Sequence, residues 1–355
     1  MRAVVKQKRE AGATILEVPD PKPGPHEVLL EMKASSICGT DIHIWEWNHW
    51  AEKRIKRLPM IFGHEIFGEV VQLGDGVTRV KVGDMVSAET HIVDNTCYQC
   101  RKGKSHICRN VEILGVDRDG VFADYVVIPE QNAWVTDRSI DPAVAAIQEP
   151  LGNAVHTVLP TDSIDDIKGS NVAVVGCGPI GLMAIAVLKK LGAKTVVGTE
   201  LGSERVRFDL AKKMGAEMVF DATMGTDAIV TEVMELTGGN GVDIALEMSG
   251  ALVAPEQVFR MLTPGGRVSV LGLYDEAVCL DLNNMLTFKG ATVYGITGRR
   301  VPQTWEKTAE FLKDPVFREK MSSIITHRVP IGDIDKAMEL IHRKQAGKIS
   351  LIPKW

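Results

Sequence analysis

The stretch NVAVVGCGPIGLMAIAVLKKLG, Asn171 to Gly192, passes from a short apolar run through a glycine-rich turn into a helical repeat. Its centre, Gly176 to Gly181, reads G-x-G-x-x-G. Alone that pattern is weak, but here a strand-like run precedes it and a helix-like run follows, the context a dinucleotide fingerprint needs. Gly176 permits the tight turn, Gly178 lets a pyrophosphate approach the backbone, and Gly181 lets the helix pack closely. The helix N-terminus offers unpaired N–H groups to the phosphates. Glu200 follows nineteen residues after Gly181, closing the next apolar run, TVVGTE. A carboxylate there accepts hydrogen bonds from both ribose hydroxyls. A 2′-phosphate would meet its negative charge, so NAD is favoured over NADP. Arg205 pulls the other way, since a nearby arginine can serve a 2′-phosphate, but the carboxylate stands in the direct position.

Outward from this turn the alternation continues. NVAVVG, TVVGTE, EMVFDA, VDIALEMSG, RVSVLGL and TVYGIT read as strands between Asn171 and Ile296, with helical periodicity in the segments between most of them. Such regularity implies right-handed crossovers and an α/β, doubly wound parallel sheet, the Rossmann type. Upstream, the short runs AVVKQ, EVLLEMKA, IFGEVVQLG, DMVSAE and FADYVVIP are separated by Gly, Pro and Asp turns. They predict a mostly antiparallel, barrel-like domain. After Gly298 the pattern predicts a helix over Thr304–Leu312, a strand near THRVPI, a helix over Ile334–His342 and a last strand, ISLIP. The predicted layout is therefore a first domain over 1–155, the dinucleotide domain over 156–298, and a return to the first domain over 299–355. A ligand cleft is expected between the two.

The composition agrees with two globular domains: 355 residues, 45% hydrophobic and 25% charged. A net charge of −5 without a basic run gives no footprint for nucleic acid or an anionic membrane. The N-terminus, MRAVVKQKRE, is charged where a signal peptide would be apolar. Six cysteines in so long a chain do not make a disulfide scaffold; they favour a reducing, cytoplasmic setting and metal binding.

Ligand chemistry concentrates in a few stretches. SICGTDIHIWEWNHW holds Cys38, Thr40, Asp41 and His43; MIFGHEIFGE holds His64 and Glu65; QEPLGNAVHT holds Glu149 and His156. A catalytic zinc takes about three protein ligands and keeps one position open. Cys38 and His64 supply a soft anion and an imidazole, and either Glu65 or Glu149 completes the set. A lone histidine more often packs or caps than ligates; the thiol and carboxylates beside His64 change that reading.

CGTDIHIWEWNHWA, GHEIFGEV, GDGVTRVKVGDMV, QEPLGNAVHTV and GCGPIG occur in the order found in the zinc-dependent medium-chain alcohol dehydrogenases, which the whole chain resembles. The tryptophan-rich run, THIV, GNAVHTV and the ITGR–ITHR pair narrow the resemblance within that family. It implies a GroES-like catalytic domain, catalytic zinc on Cys38, His64 and Glu65, and Glu149 close by as an exchanging ligand or proton-transfer group. It implies a proton relay of Thr40 and His43, passing through the nicotinamide ribose. On the cofactor side it implies NAD contacts from Ile180, Glu200 and Arg205, from Leu271, Gly272 and Leu273, and from Ile296 and Thr297. The implied reaction is oxidation of the L-threonine β-hydroxyl to 2-amino-3-ketobutyrate by a cytoplasmic homotetramer. Such a metal acidifies the hydroxyl, and a histidine near its usual pKa of ~6.5 can hand the proton on. Arg299 and His91 are candidates for the substrate's charged groups, and Trp45, Trp47 and Trp50 for a pocket wall; packing roles compete for all five. The rival readings are a polyol or 2,3-butanediol dehydrogenase with the same sites, and a non-enzymatic dinucleotide-binding protein.

The family's second metal lobe has the pattern C-x2-C-x2-C-x7-C, whereas DNTCYQCRKGKSHIC keeps every spacing with Asp94 at the first position, before Cys97, Cys100 and Cys108. Carboxylate oxygen binds zinc at ~2.0–2.2 Å against ~2.3 Å for thiolate, so a tetrahedral site with Asp94 is feasible. Three thiolates with water, or an empty lobe, are the alternatives.

Overall fold

The computed structural model describes residues 1–355. The chain divides into two compact units, Met1–Pro150 with Ile325–Trp355, and Leu151–Ile324.

In the second unit six strands form one parallel sheet: β1 (Asn171–Val175), β2 (Thr195–Glu200), β3 (Met218–Asp221), β4 (Val242–Glu247), β5 (Leu262–Val270) and β6 (Thr292–Gly295). They lie in the order 3-2-1-4-5-6, the doubly wound arrangement that the alternation predicts. Val172 to Val175 are buried, as expected for a central parallel strand covered on both faces. The helix after β1, α3 (Pro179–Lys190), starts with proline in its first turn and is buried from Gly181 to Leu188. The order reverses between β1 and β4. The register aligns Val175 with both Thr199 and Glu247, so the loops after β1, β2 and β4 leave the sheet at one end. Ligands bind at such a switch point.

The glycines of the first loop divide their roles. Gly176 has a φ of +100°, a conformation that side chains rarely adopt. A Cβ on Gly181 would stand 2.0 Å from the Gly176 carbonyl oxygen, whereas one on Gly178 would meet nothing within 4 Å. Gly178 therefore faces open space beside the loop, and Gly181 is fixed by packing.

The first unit is built on a seven-stranded sheet. Glu27–Ser36 is its spine, paired antiparallel with Glu65–Leu73, with Tyr125–Pro129 and with the last strand, Lys348–Ile352. Only Ile325–Pro330 joins in parallel, beside Lys348–Ile352. Leu30, Met32, Ile66, Ile128, Ile349 and Leu351 fill the core, together with an edge-on pair of Phe62 and Phe122 whose rings are 5.0 Å apart. Two short helices, α1 (Gly39–Glu46) and α2 (His49–Arg54), follow the spine strand at once, joined by Trp47 in the left-handed region. A two-stranded ladder, His91–Ile92 with Glu112–Ile113, forms the base of the lobe that carries Asp94 to Cys108. No helix is long and apolar enough to cross a membrane.

Two expected boundaries move. The first crossing falls at Pro150/Leu151 rather than after residue 155, and the return falls at Ile324/Ile325 rather than after residue 298. The second shift has a clear cause. Helix Gln303–Leu312 and a helix the sequence pattern did not separate, Pro315–Ile324, stay with the second unit. The latter packs on α3 and on α4 (Arg205–Met214), and Lys320 Nζ donates to the Met214 carbonyl at 2.7 Å.

Gly181→Ala is expected to force the turn and α3 apart and to cost ~1–3 kcal/mol, as overpacking does. Thermal unfolding should show a lower midpoint for Gly181→Ala and an unchanged one for Gly178→Ala; equal midpoints would contradict the division of roles.

Candidate active site

Cys38 follows the spine strand and begins α1, and Glu65 begins the neighbouring strand, paired with Ser36. This register places Cys38, His64 and Glu65 together although two of them are 26 residues from the first in sequence or more. Their ligand atoms lie within 4.8 Å of one another. Gly63, with φ +85°, makes the turn into this strand against the Phe122 ring.

Asp41 organises the trio from α1. Its Oδ2 accepts the Cys38 N–H at 2.8 Å, and its Oδ1 lies 3.5 Å from His64 Nδ1. Both of these last atoms are buried and have no other hydrogen-bond partner. A metal held by the other ring nitrogen would leave Nδ1–H to face this carboxylate, the usual orientation of a ligating histidine. Burial opposes a charged His64, but Asp41 and the Cys38 thiolate outweigh it and push the imidazole well above its ordinary pKa. The pocket thus attracts positive charge, and its sulfur, nitrogen and oxygen donors suit zinc.

Glu65 is fully buried and engaged at both oxygens: Lys348 Nζ donates to Oε1 at 2.7 Å and Ser36 Oγ donates to Oε2. Lys348, equally enclosed, also donates to the Ile37 carbonyl at 2.8 Å. Burial works against its charge, but Glu65, Cys38 and Asp41 hold it above the ordinary lysine value. Burial pushes Glu65 up as well, with Lys348 and His64 pulling it back and Glu149 adding to the push. The 2.7 Å contact to an ammonium makes Glu65 one half of a buried ion pair. Glu149 is buried near it, accepting from Thr90 Oγ1 at 3.3 Å, and stands outside the close trio.

Thr40 and His43 lie three residues apart on α1, hence on one face. Thr40 Oγ1 is 4.0 Å from Cys38 Sγ, and His43 is exposed beside the Trp50 ring, 5.5 Å between centroids. Of the tryptophans, Trp45 belongs to the core, Trp47 Nε1 donates to Glu52, and Trp50 lies against the His43 ring. His91 sits in the two-stranded ladder, its N–H donating to Glu89. Arg299 is 2% exposed in the second unit, its guanidinium 3.4 Å from Asn153 Oδ1 and its stem against Gly152. His156 Nδ1 donates to the Gly298 carbonyl, and burial lowers the imidazole's pKa, which suits a structural bond.

In the lobe, the ligand atoms of Asp94, Cys97, Cys100 and Cys108 also lie within 4.8 Å of one another. Cys97 Sγ is 3.5 Å from Cys100 Sγ and 3.8 Å from Cys108 Sγ. The Cys100 and Arg109 backbone N–H groups draw Cys97 down to about 7, while burial pushes Cys100 up to about 12. Asp94 Oδ1 accepts the Cys97 and Thr96 N–H groups and Oδ2 accepts from Asn110 at 2.5 Å. These bonds hold its carboxyl well below the usual carboxylate range. Three sulfurs and an ionised carboxylate at this spacing fit one zinc ion.

The second unit carries a cavity of about 500 Å³ at the switch point, lined by Gly176, Gly178, Glu200, Arg207, Thr226 and Met248 among others. Glu200 Oε1 accepts the Leu201 N–H, and its Oε2 lies 3.7 Å from Arg207. The arginine in this cavity is Arg207; the expected Arg205 is exposed, outside the lining, and acts on Asp221. Ile180 is half-buried in the first turn of α3, Ile296 is buried, Thr297 is exposed, and Leu273 projects into solvent at 82% exposure. The open glycine turn and the ribose-directed carboxylate suit NAD.

Sequence reasoning missed Lys348, Ser36, Asn48, Arg207 and Glu247. Glu247, fully buried, accepts Ser249 N and Oγ and Gly250 N on Oε1 and Tyr274 OH on Oε2. Its backbone carbonyl takes the Leu271 and Gly272 N–H groups. One residue thus ties the loop after β4 to the loop after β5, where Leu271, Gly272 and Leu273 lie. A charged residue inside an otherwise apolar run, as in KISLI and VDIALE, was the available signal for Lys348 and Glu247.

Residues 24–138 match the alcohol dehydrogenase GroES-like domain and residues 179–314 the zinc-binding dehydrogenase domain. The chain is 49% identical to an L-threonine 3-dehydrogenase of Pyrococcus abyssi, covering 100% of this chain and 99% of that one. It is 45% identical to one from Bacillus subtilis, with 99% of each chain covered. Among solved structures it is similar to the 2R,3R-butanediol dehydrogenase of Bacillus subtilis, with a TM-score of 0.87, 27% identity and 99% of each chain covered.

Lys348→Met should strip Glu65 of its cation and destabilise the first unit by roughly 3–5 kcal/mol. Adding Glu65→Gln should recover much of that loss. Chemical denaturation of the two single variants and the double reads the coupling, and additive losses would dismiss the ion pair.

Proposed function

The chain belongs to the zinc-binding alcohol dehydrogenase family with a GroES-like domain, and from that premise we propose that it oxidises the β-hydroxyl of L-threonine to 2-amino-3-ketobutyrate, with NAD as hydride acceptor. The observation that carries the proposal is the close trio of half-buried Cys38 with buried His64 and Glu65, in a chain nearly half identical, end to end, to L-threonine 3-dehydrogenases. When bound, zinc polarises and acidifies a hydroxyl, and NAD takes up hydride.

The chain's own residues supply the rest. Cys38, His64 and Glu65 hold the metal, and Asp41 fixes the His64 ring by facing Nδ1. Lys348 and Ser36 set the direction of the Glu65 carboxylate. Thr40 Oγ1 accepts the proton that leaves the substrate hydroxyl while its own hydroxyl proton passes on toward His43, which, exposed on the same face of α1, takes one up and releases it to solvent. Glu149, buried beside Glu65, is placed to exchange as a ligand or to assist proton transfer. Gly176 and Gly178 receive the pyrophosphate, Gly181 lets α3 pack against the turn, and Glu200 receives the adenosine ribose. Asp94 completes a second zinc site with Cys97, Cys100 and Cys108. None of the six cysteines is in a disulfide, which supports a reducing, cytoplasmic home.

NADH formation should be rapid with L-threonine and slow with 2,3-butanediol or sorbitol; the reverse order would move the assignment to the diol and polyol branch. Cys38→Ser should abolish turnover yet leave NAD binding intact by fluorescence titration. Purified wild type should carry two zinc ions per chain and Asp94→Ala close to one, measured by elemental analysis; two zinc ions in Asp94→Ala would remove the carboxylate from the lobe's ligand set.

A further inference from the structure

Asn48 lies in the link between α1 and α2 and uses both ends of its amide. Its Oδ1 accepts the Ala51 N–H at 3.2 Å and caps α2. With the oxygen committed to that donor, the orientation of the amide is settled and Nδ2 points the other way. Nδ2 lies 2.5 Å from His43 Nδ1.

An amide nitrogen can only donate, so the His43 atom facing it must offer a lone pair. A neutral imidazole has one lone pair and one N–H. Nδ1 therefore carries the lone pair, and the ring proton sits on Nε2. A cationic ring would bring two N–H donors face to face at this distance. The rest of the surroundings do not compete for Nδ1. The other side chain against the ring is Trp50, which does not titrate. Among the charged groups of the two helices, Asp41 faces His64, Glu46 pairs with His342, Glu52 with Arg9 and Arg54 with Asp117. His49 and Lys53 complete the set, and both are exposed.

We propose that Asn48 is a positioning residue for the proton relay: it holds His43 in the neutral Nε2–H tautomer and keeps the ring a base rather than a cation. The inference deepens the relay assigned to His43 above and rests on that reading for its functional consequence. A relay histidine can take a proton only while its lone pair is present. A ring that is neutral at rest, with Nδ1 shielded by a weak donor, meets that need. The proton enters at Nδ1 as the amide N–H yields and leaves to solvent from the same nitrogen, so the ring ends each cycle in the Nε2–H tautomer in which it began. The α2 cap keeps the amide from turning its oxygen toward the ring, which would trap the cation instead.

Asn48→Asp makes the test selective. Aspartate caps a helix as well as asparagine does, but it turns an acceptor with negative charge toward Nδ1. Asn48→Ser also caps, while removing the contact with the ring. The readout is nitrogen NMR of histidine-labelled protein, with the His43 resonances assigned by their loss in His43→Gln. Wild type should show an Nε2–H ring. Its titration midpoint should rise by about one unit in Asn48→Asp, in line with a carboxylate partner, and by less in Asn48→Ser. The acidic limb of kcat/KM for L-threonine should move upward in the same order, with KM for NAD little changed. An Nδ1–H ring in wild type, or midpoints identical in all three proteins, would overturn the proposal and leave Asn48 as a helix cap alone. The NMR result stands whether or not L-threonine is turned over, so failure of the substrate reading is told apart from failure of this one.

Discussion

A lysine with almost no exposed surface, at the start of the last strand, holds the chemistry of the first unit in place. Lys348 reaches Glu65 and the Ile37 carbonyl, positions 283 and 311 residues away in sequence. An ammonium taken out of water costs several kcal/mol unless it finds an anion and further acceptors. Here the anion is Glu65, next to His64, and the carbonyl belongs to the residue before Cys38. The buried charge therefore closes only when the last strand lies against the spine strand and both ligand-bearing segments are in register. This explains why the chain must come back to the first unit after leaving it. A C-terminal strand paired only by main-chain bonds would stabilise the sheet; Lys348 also ties it to the cluster of Cys38, His64 and Glu65.

The second unit contains a comparable constraint, resolved with neutral partners. Glu247 is a buried carboxylate surrounded by four donors from Ser249, Gly250 and Tyr274. Several N–H and O–H groups can stabilise a carboxylate without a cation. The arrangement leaves no room for a larger residue alongside: a Cβ on Gly272 would stand 2.2 Å from Glu247 Oε2. Two loops that sequence places far apart are thus fixed relative to each other at the carboxyl end of the sheet. In each unit a single enclosed charge converts strand register into loop geometry.

The sequence made legible whatever depends on local spacing. The six parallel strands, the glycine turn, Cys38, the His64–Glu65 pair and the lobe all declare themselves within short windows, because strand periodicity and ligand spacing are short-range properties. Lys348 and Glu247 did not, since each acts on a partner brought in by tertiary packing, and Asn48 did not because its local contact with His43 depends on the turn between α1 and α2. Arg207 shows the same limit on a smaller scale: helical phase after β2, rather than distance along the chain, decides that it and not Arg205 borders Glu200. The displaced boundary follows the same logic. Helices Gln303–Leu312 and Pro315–Ile324 are amphipathic, and an amphipathic face states that it must be covered without stating by which sheet.

Asp94 shows how one changed residue in a ligand-spaced lobe alters the energetics of the loop. A thiolate at this position could offer the metal a stronger donor, but it could not accept the Thr96 and Cys97 N–H groups and the Asn110 amide as a carboxylate does. Part of the ordering that a four-thiolate lobe draws from its metal is supplied here by hydrogen bonds within the protein. The remaining requirement for a cation comes from the thiols. Backbone N–H groups draw Cys97 down to about 7, while burial beside its sulfur neighbours pushes Cys100 up to about 12, so these two sulfurs do not ionise together in the absence of positive charge. The carboxylate shapes the loop and the sulfurs create the demand for metal, which is why a substitution in the ligand pattern can persist with every spacing intact.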